Sequence, residues 1–213
     1  MKVYHGSKIV LKHPIYNGSK IDNDYGPAFY LTRDIQSAHE WACRNNVVGF
    51  VNKYDLNIKG LNILDLTNKQ NHSVLNWLAI LLHFRTLEYG FKRDFKTRLE
   101  FIEEHYYIDV TQYDLIIGYR ADDAYFRFPL DFIRGNLTLE QLEYSFNLGN
   151  LGIQYAIISE KGIKHLSFNQ TIPSEYKYIN RYFENVTFAT KRFDELNKDE
   201  EGTRIFDLMR SVK

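Results

Sequence analysis

From Ser73 to Tyr107 the sequence carries helical spacing, interrupted near Gly90, while the segments on either side of it read as strands. That arrangement constrains the fold more than any single motif. The helical stretch reads as two helices inserted between two groups of strands. Ahead of it stand "KVYHGS" (2–7), "FYLT" (29–32), "GFVNKYDLNI" (49–58) and "LNILDLT" (61–67); after it come "YDLIIGYR" (113–120) and "GIQYAIIS" (152–159). Strands grouped at both ends of a helical insertion predict an α+β fold of two packed, mostly antiparallel sheets. Strands and helices do not alternate regularly enough for a doubly wound sheet.

Smaller signals place the joints. A polar loop containing Gly18, Gly26 and Pro27 precedes "FYLT", and Thr32 and Asp34 are candidate N-caps for a helix with apolar face Ile35, Ala38, Trp41 and Ala42. Thr138 and Gln141 have capping-box spacing, so a helix starts there and stops near Gly149. From Phe168 onward the chain is polar and aromatic, with a charged helix around "RFDELNKDEE".

The 213 residues suffice for one domain over 1–213, with a helical insertion at about 70–110 and a tail at about 168–213. Lys+Arg 27 against Asp+Glu 27 leaves no net field to draw the chain to nucleic acid or an anionic membrane. The basic run "KRDFKTR" (92–98) reads as a solvated helix face. A single cysteine, Cys43, excludes an internal disulfide framework and a cysteine-rich zinc site. The N-terminus has no apolar signal segment, and the longest apolar run, "WLAILLHF" (77–84), is too short to span a bilayer. A soluble, cytoplasmic protein with no membrane partner is expected.

No GxGxxG joins a strand to a helix and no GxxxxGK[ST] occurs, so the dinucleotide-fold and P-loop readings lack their phosphate cradles; HExxH and CxxC are absent too, and no metal is expected. His5-Gly6 at a strand end pairs a donor-acceptor side chain with a backbone that a carboxamide could approach closely. Taken alone, the same two residues also read as a turn glycine and a partly buried strand histidine.

Three segments, "YHGSK", "YGPAFYLTRDIQSAHEWA" and "GIQYAIIS", resemble in this order the signature strands of the poly-ADP-ribose-polymerase-like branch of the ADP-ribosyltransferase superfamily. The overall pattern, including "YDLIIGYRADD", is most similar to an uncharacterised bacterial family of that superfamily often encoded beside a small partner protein. The resemblance implies a split β-sandwich of two mostly antiparallel sheets with helical insertions, and NAD as co-substrate. It implies catalytic roles for His5, Tyr30 and Gln154: His5 on a ribose hydroxyl, Tyr30 stacked on the nicotinamide ring. Gly6 would hold the carboxamide by its backbone, Ser7 would add a hydroxyl, and Trp41 would be the opposing aromatic. Asp122 and Asp123, after an apolar strand, read either as a pocket wall or as a solvated turn.

The family's third strand normally begins with a carboxylate, and this chain has Gln154. Glutamine can accept from a ribose hydroxyl but carries no charge and cannot act as a general base. The implied activity is therefore single ADP-ribose transfer to a macromolecular acceptor, protein or nucleic acid, with Gln154 positioning the sugar or with Asp122, Asp123 or Glu143 supplying the charge. A toxin or effector restrained by a small cognate antitoxin-like protein fits that pattern. The alternative is an inactive module that binds NAD or ADP-ribose and acts through protein contacts.

Overall fold

The computed structural model describes residues 1–44, 47–85, 93–121, 126–145, 152–196 and 200–212. Its strands are β1 (Lys2–Ser7), β2 (Phe29–Thr32), β3 (Phe50–Leu56), β4 (Ile63–Asp65), β5 (Leu115–Tyr119), β6 (Ile153–Ile157) and β7 (Leu166–Pro173). Its helices are α1 (Ile35–Ala42), α2 (Val74–Phe84), α3 (Arg93–Tyr106), α4 (Arg127–Arg134), α5 (Leu139–Ser145), α6 (Glu160–Lys164), α7 (Lys177–Asp194) and α8 (Ile205–Ser211). The fold is α+β. The strands form a seven-stranded sheet in the order β4-β5-β6-β2-β1-β3-β7. Adjacent strands run antiparallel except β4 and β5.

Two packed sheets were the expectation, and one hydrogen-bonded sheet is found. The link is narrow. β1 meets β3 in six residue pairs, Lys2–Asp55 to Ser7–Phe50, but meets β2 at Tyr4 and Thr32 alone. Beyond that pair the two strands leave the ladder, so the sheet opens at the level of His5–Ser7 and Phe29–Leu31 into a seam between β1-β3-β7 and the other four strands.

Both faces of the sheet are covered, which explains the near-continuous apolar runs of β5 and β6. Leu115, Tyr155 and Ile157 pack on one face with Val3, Phe29, Leu31 and Tyr54; Ile116 and Ala156 pack on the other with α2, α4 and α5. On the first face, the buried side chain of Asn52 on β3 ties down the loop that follows β1: it accepts from Leu11 N (3.0 Å) and donates to Ser7 Oγ (3.1 Å) and the Ile9 carbonyl (3.2 Å).

The apolar run "WLAILLHF" is not a membrane segment but the buried core of α2, and no described helix is long and apolar enough to cross a membrane. Asp34 caps α1, its carboxylate accepting from Gln36 N and Ser37 N, while Thr32 Oγ1 accepts from Asp34 N. Thr138 and Gln141 close the reciprocal box at the start of α5, with bonds of 3.0 and 3.1 Å. The expected ends near Gly90 and Gly149 lie outside the described residues.

Candidate functional site

Strands β6, β2 and β1 are neighbours in that order, which brings residues 30 and 154 together although the chain separates them widely, whereas the register puts His5 on the opposite face of the sheet, with Phe29. Tyr30 pairs with Ala156 and Thr32 with Gln154, which puts the Tyr30 and Gln154 side chains on the same face of the sheet. His5 sits at the seam. Its ring leans on Phe29, centroids 4.6 Å apart, and its Nδ1 reaches the Tyr30 carbonyl at 2.7 Å where the ladder has opened. A carbonyl only accepts, so Nδ1 carries the proton and Nε2 is left as an acceptor. Burial lowers the imidazole below its ordinary value, against the Tyr30 bond that raises it, so the ring is neutral at pH 7.

Gly6 is explained first by packing. A Cβ there would lie 2.0 Å from the Ala38 carbonyl oxygen, 2.6 Å from Ala42 N and 2.8 Å from the Trp41 Cβ, so α1 can lie against β1 only over a glycine. The sequence reading had reserved that opening for a ligand. Trp41 therefore backs β1 from α1, and the Arg120 guanidinium lies over its ring at 4.8 Å. The Trp41 indole Nε1 is buried and has no hydrogen-bond partner among the described residues. Ser7 is engaged locally: its hydroxyl donates to the Ile9 carbonyl and accepts from Asn52.

Tyr30 is fixed by both functions of its phenol. The hydroxyl donates to the Gly26 carbonyl at 2.7 Å and accepts from Tyr25 N at 3.0 Å, holding the loop before β2 against the strand. Burial raises the phenol far above its ordinary value, so it stays protonated.

Gln154 is 4 % exposed and donates through Nε2 to Asp24 Oδ2 at 2.8 Å, with a longer contact of 3.4 Å to the Tyr119 carbonyl. Its Oε1 has no partner among the described residues. The Tyr119 carbonyl also accepts from Tyr25 Oη (2.7 Å) and Trp77 Nε1 (2.9 Å). Gly118 makes room for that phenol, since a Cβ there would stand 2.1 Å from Tyr25 Oη.

Asp24 is the acid that meets Gln154. It is 6 % exposed; its Oδ1 takes Arg85 Nε (3.0 Å) and the second Arg85 nitrogen (2.8 Å), and its Oδ2 takes Ala121 N (2.8 Å) besides Gln154. Of the acids weighed from sequence, Glu143 is half exposed on α5 and pairs with Lys69 at 3.6 Å. Asp122 and Asp123 lie outside the described residues. Sequence reasoning missed Asp24 and Arg85. Asp24 immediately precedes the second motif, but nothing local joins it to a residue 130 positions away.

The family model described as a protein of unknown function, DUF3990, matches residues 1–168. The chain belongs to the DUF3990 family. Among curated proteins and solved structures, no significant match is found. All three site strands of this DUF3990 chain lie within the matched residues, whereas α7 and α8 lie beyond them.

Proposed function

We propose that this DUF3990 protein is an NAD-dependent mono-ADP-ribosyltransferase built as a split sandwich, its two halves parting at the β1–β2 seam. One observation carries the reading. Tyr30 and Gln154, named from two separate motifs, share one face of adjacent strands, and His5-Gly6, named from a third, stands on the next strand at the seam, with Gln154 Oε1 left as an acceptor on the first face and His5 Nε2 on the other.

Gln154 Oε1 suits a ribose hydroxyl, His5 Nε2 would take a second only from a ligand that enters the open seam, and the Tyr30 ring, locked by its hydroxyl, is the group that would stack on a flat heteroaromatic. NAD supplies a leaving group that is already cationic: when the bond from nicotinamide to C1′ breaks, the electron pair neutralises the pyridinium, and an acceptor nucleophile or water bonds to C1′ and releases its proton to solvent. The chain's part is to hold the sugar and keep water from competing. With a neutral Gln154 in place of a carboxylate, no group on β6 can deprotonate a sugar hydroxyl, so transfer stops at one unit.

The acceptor is a macromolecule, and restraint by a small cognate protein in the manner of a toxin and its antitoxin belongs to the same proposal. Labelled NAD is incubated with the protein and a cell extract, and label is sorted into protein, RNA and DNA. Transfer into one fraction, with nicotinamide released, is expected; NAD binding with no release from any extract would make the protein a binding module instead.

A further inference from the structure

A glutamine amide can offer a ligand either its oxygen or its nitrogen, and the two are chemically opposite. In this protein the choice is made from behind. Each Asp24 oxygen has its own donors: Arg85 occupies Oδ1 twice, and Ala121 N and Gln154 Nε2 share Oδ2. A carboxylate cannot donate, so the Gln154 nitrogen must face it and Oε1 must be the free end. We propose that Asp24 is a positioning residue, whose buried carboxylate locks the Gln154 amide with Oε1 presented as the acceptor for a ribose hydroxyl. This rests on the NAD-dependent reading above.

Charge supply is the other role open to Asp24, and the geometry disfavours it. Arg85 pairs with the carboxylate directly, at 2.8 and 3.0 Å, so its negative charge is already compensated in place. Orientation is what remains. A carboxylate on the Nε2 side also draws electron density toward Oε1 through the amide, which strengthens it as an acceptor. The groups facing Asp24 are Arg85, Arg120, Tyr25, Tyr30 and Gln154. Burial raises its carboxyl above the ordinary value, while Arg85, the Ala121 N–H, the Gln154 amide and Arg120 pull it down.

The test exchanges the partners. In Asp24→Asn, Arg85 keeps the side-chain oxygen and the new NH2 faces Gln154, which turns the amide and withdraws its acceptor. Nicotinamide release should fall on the order of 10²-fold in kcat with KM little changed. Adding Gln154→Glu to Asp24→Asn restores an oxygen acceptor whichever way residue 24 points, and should recover most of that loss. Gln154→Glu alone sets two carboxylates together and should be poor. A readout free of turnover comes from the Gln154 side-chain NH2 signals in 15N NMR of the unmodified protein. They should resist exchange and move with the protonation of Asp24 as pH falls.

Full activity of a folded Asp24→Asn, a folded but inactive double variant, or Gln154 signals that exchange freely would each overturn the assignment. If Asp24→Asn does not fold, the double variant and the NMR titration decide. Failure of the unmodified protein to bind or turn over NAD, with Gln154 signals behaving as expected, would instead overturn the functional reading on which the assignment rests.

Discussion

Gly6 and His5 are adjacent, yet different physics governs each. Replacing Gly6 by Ala drives a methyl into the backbone of α1, whose carbonyl at Ala38 cannot yield without moving the helix. A destabilisation of about 1–3 kcal/mol is expected from overpacking of this kind, read as a lower urea midpoint with an unchanged slope. His5 acts through its proton. Its folded value is lowered from 6.5 by burial, so between that folded value and 6.5 the unfolded chain binds a proton that the native state does not. Its contribution is therefore complete above about pH 6.5 and is lost as pH falls toward the folded value. Urea midpoints at pH 8 and pH 5 should differ less in His5→Asn than in the unmodified protein; equal differences would mean that the ring titrates as it does in the unfolded chain. At this scale the sequence named the residues but not their neighbours. His5-Gly6 stands out in one short motif, whereas the Asp24–Gln154 bond joins residues that no local pattern relates.

Among the elements, those with a cap or a clean period were legible and those held only by distant partners were not. α1 and α5 announce themselves because Asp34 and the Thr138–Gln141 pair satisfy the first backbone N–H groups from within a few residues. Thr138→Ala should cost about 1 kcal/mol through that cap, measured by thermal unfolding. β7 was read as part of a polar tail because its exposed face hides the pairing: it lies at the sheet edge, holding β3 from Leu166 to Pro173. The charged helix expected around "RFDELNKDEE" is the end of a longer one, α7, which starts at Lys177. Its anchor is Glu40 on α1, a buried acid that accepts from Arg181 Nε (3.1 Å) and twice from Asn185 Nδ2 (3.2 Å each). Ser174 adds a second tether beside His39 Nδ1 (2.9 Å) and Cys43 Sγ (3.1 Å). Glu40→Ala removes the α7 anchor, so amide exchange should rise along α7 and leave β1 and β3 protected. Uniform loosening of the whole chain would show that α7 is integral to the core.

For the whole molecule, the α+β class followed from the distribution of strand and helix periods, but the sheet's order did not. Only the structure brings β6 beside β2, and with it Gln154 beside the loop that carries Asp24. The account's central claim is that the seam between β1 and β2 cleaves NAD with Gln154 as the acceptor that holds the ribose. The most direct measurement is nicotinamide released from NAD by the unmodified protein, Tyr30→Ala and Gln154→Ala, with NAD affinity of each measured by calorimetry. The account predicts release by the unmodified protein, weaker binding in Tyr30→Ala by about 1–3 kcal/mol of lost stacking, and release slowed on the order of 10²-fold in Gln154→Ala with binding largely kept. Equal release by the unmodified protein and Gln154→Ala, or NAD affinity untouched by Tyr30→Ala, would contradict it.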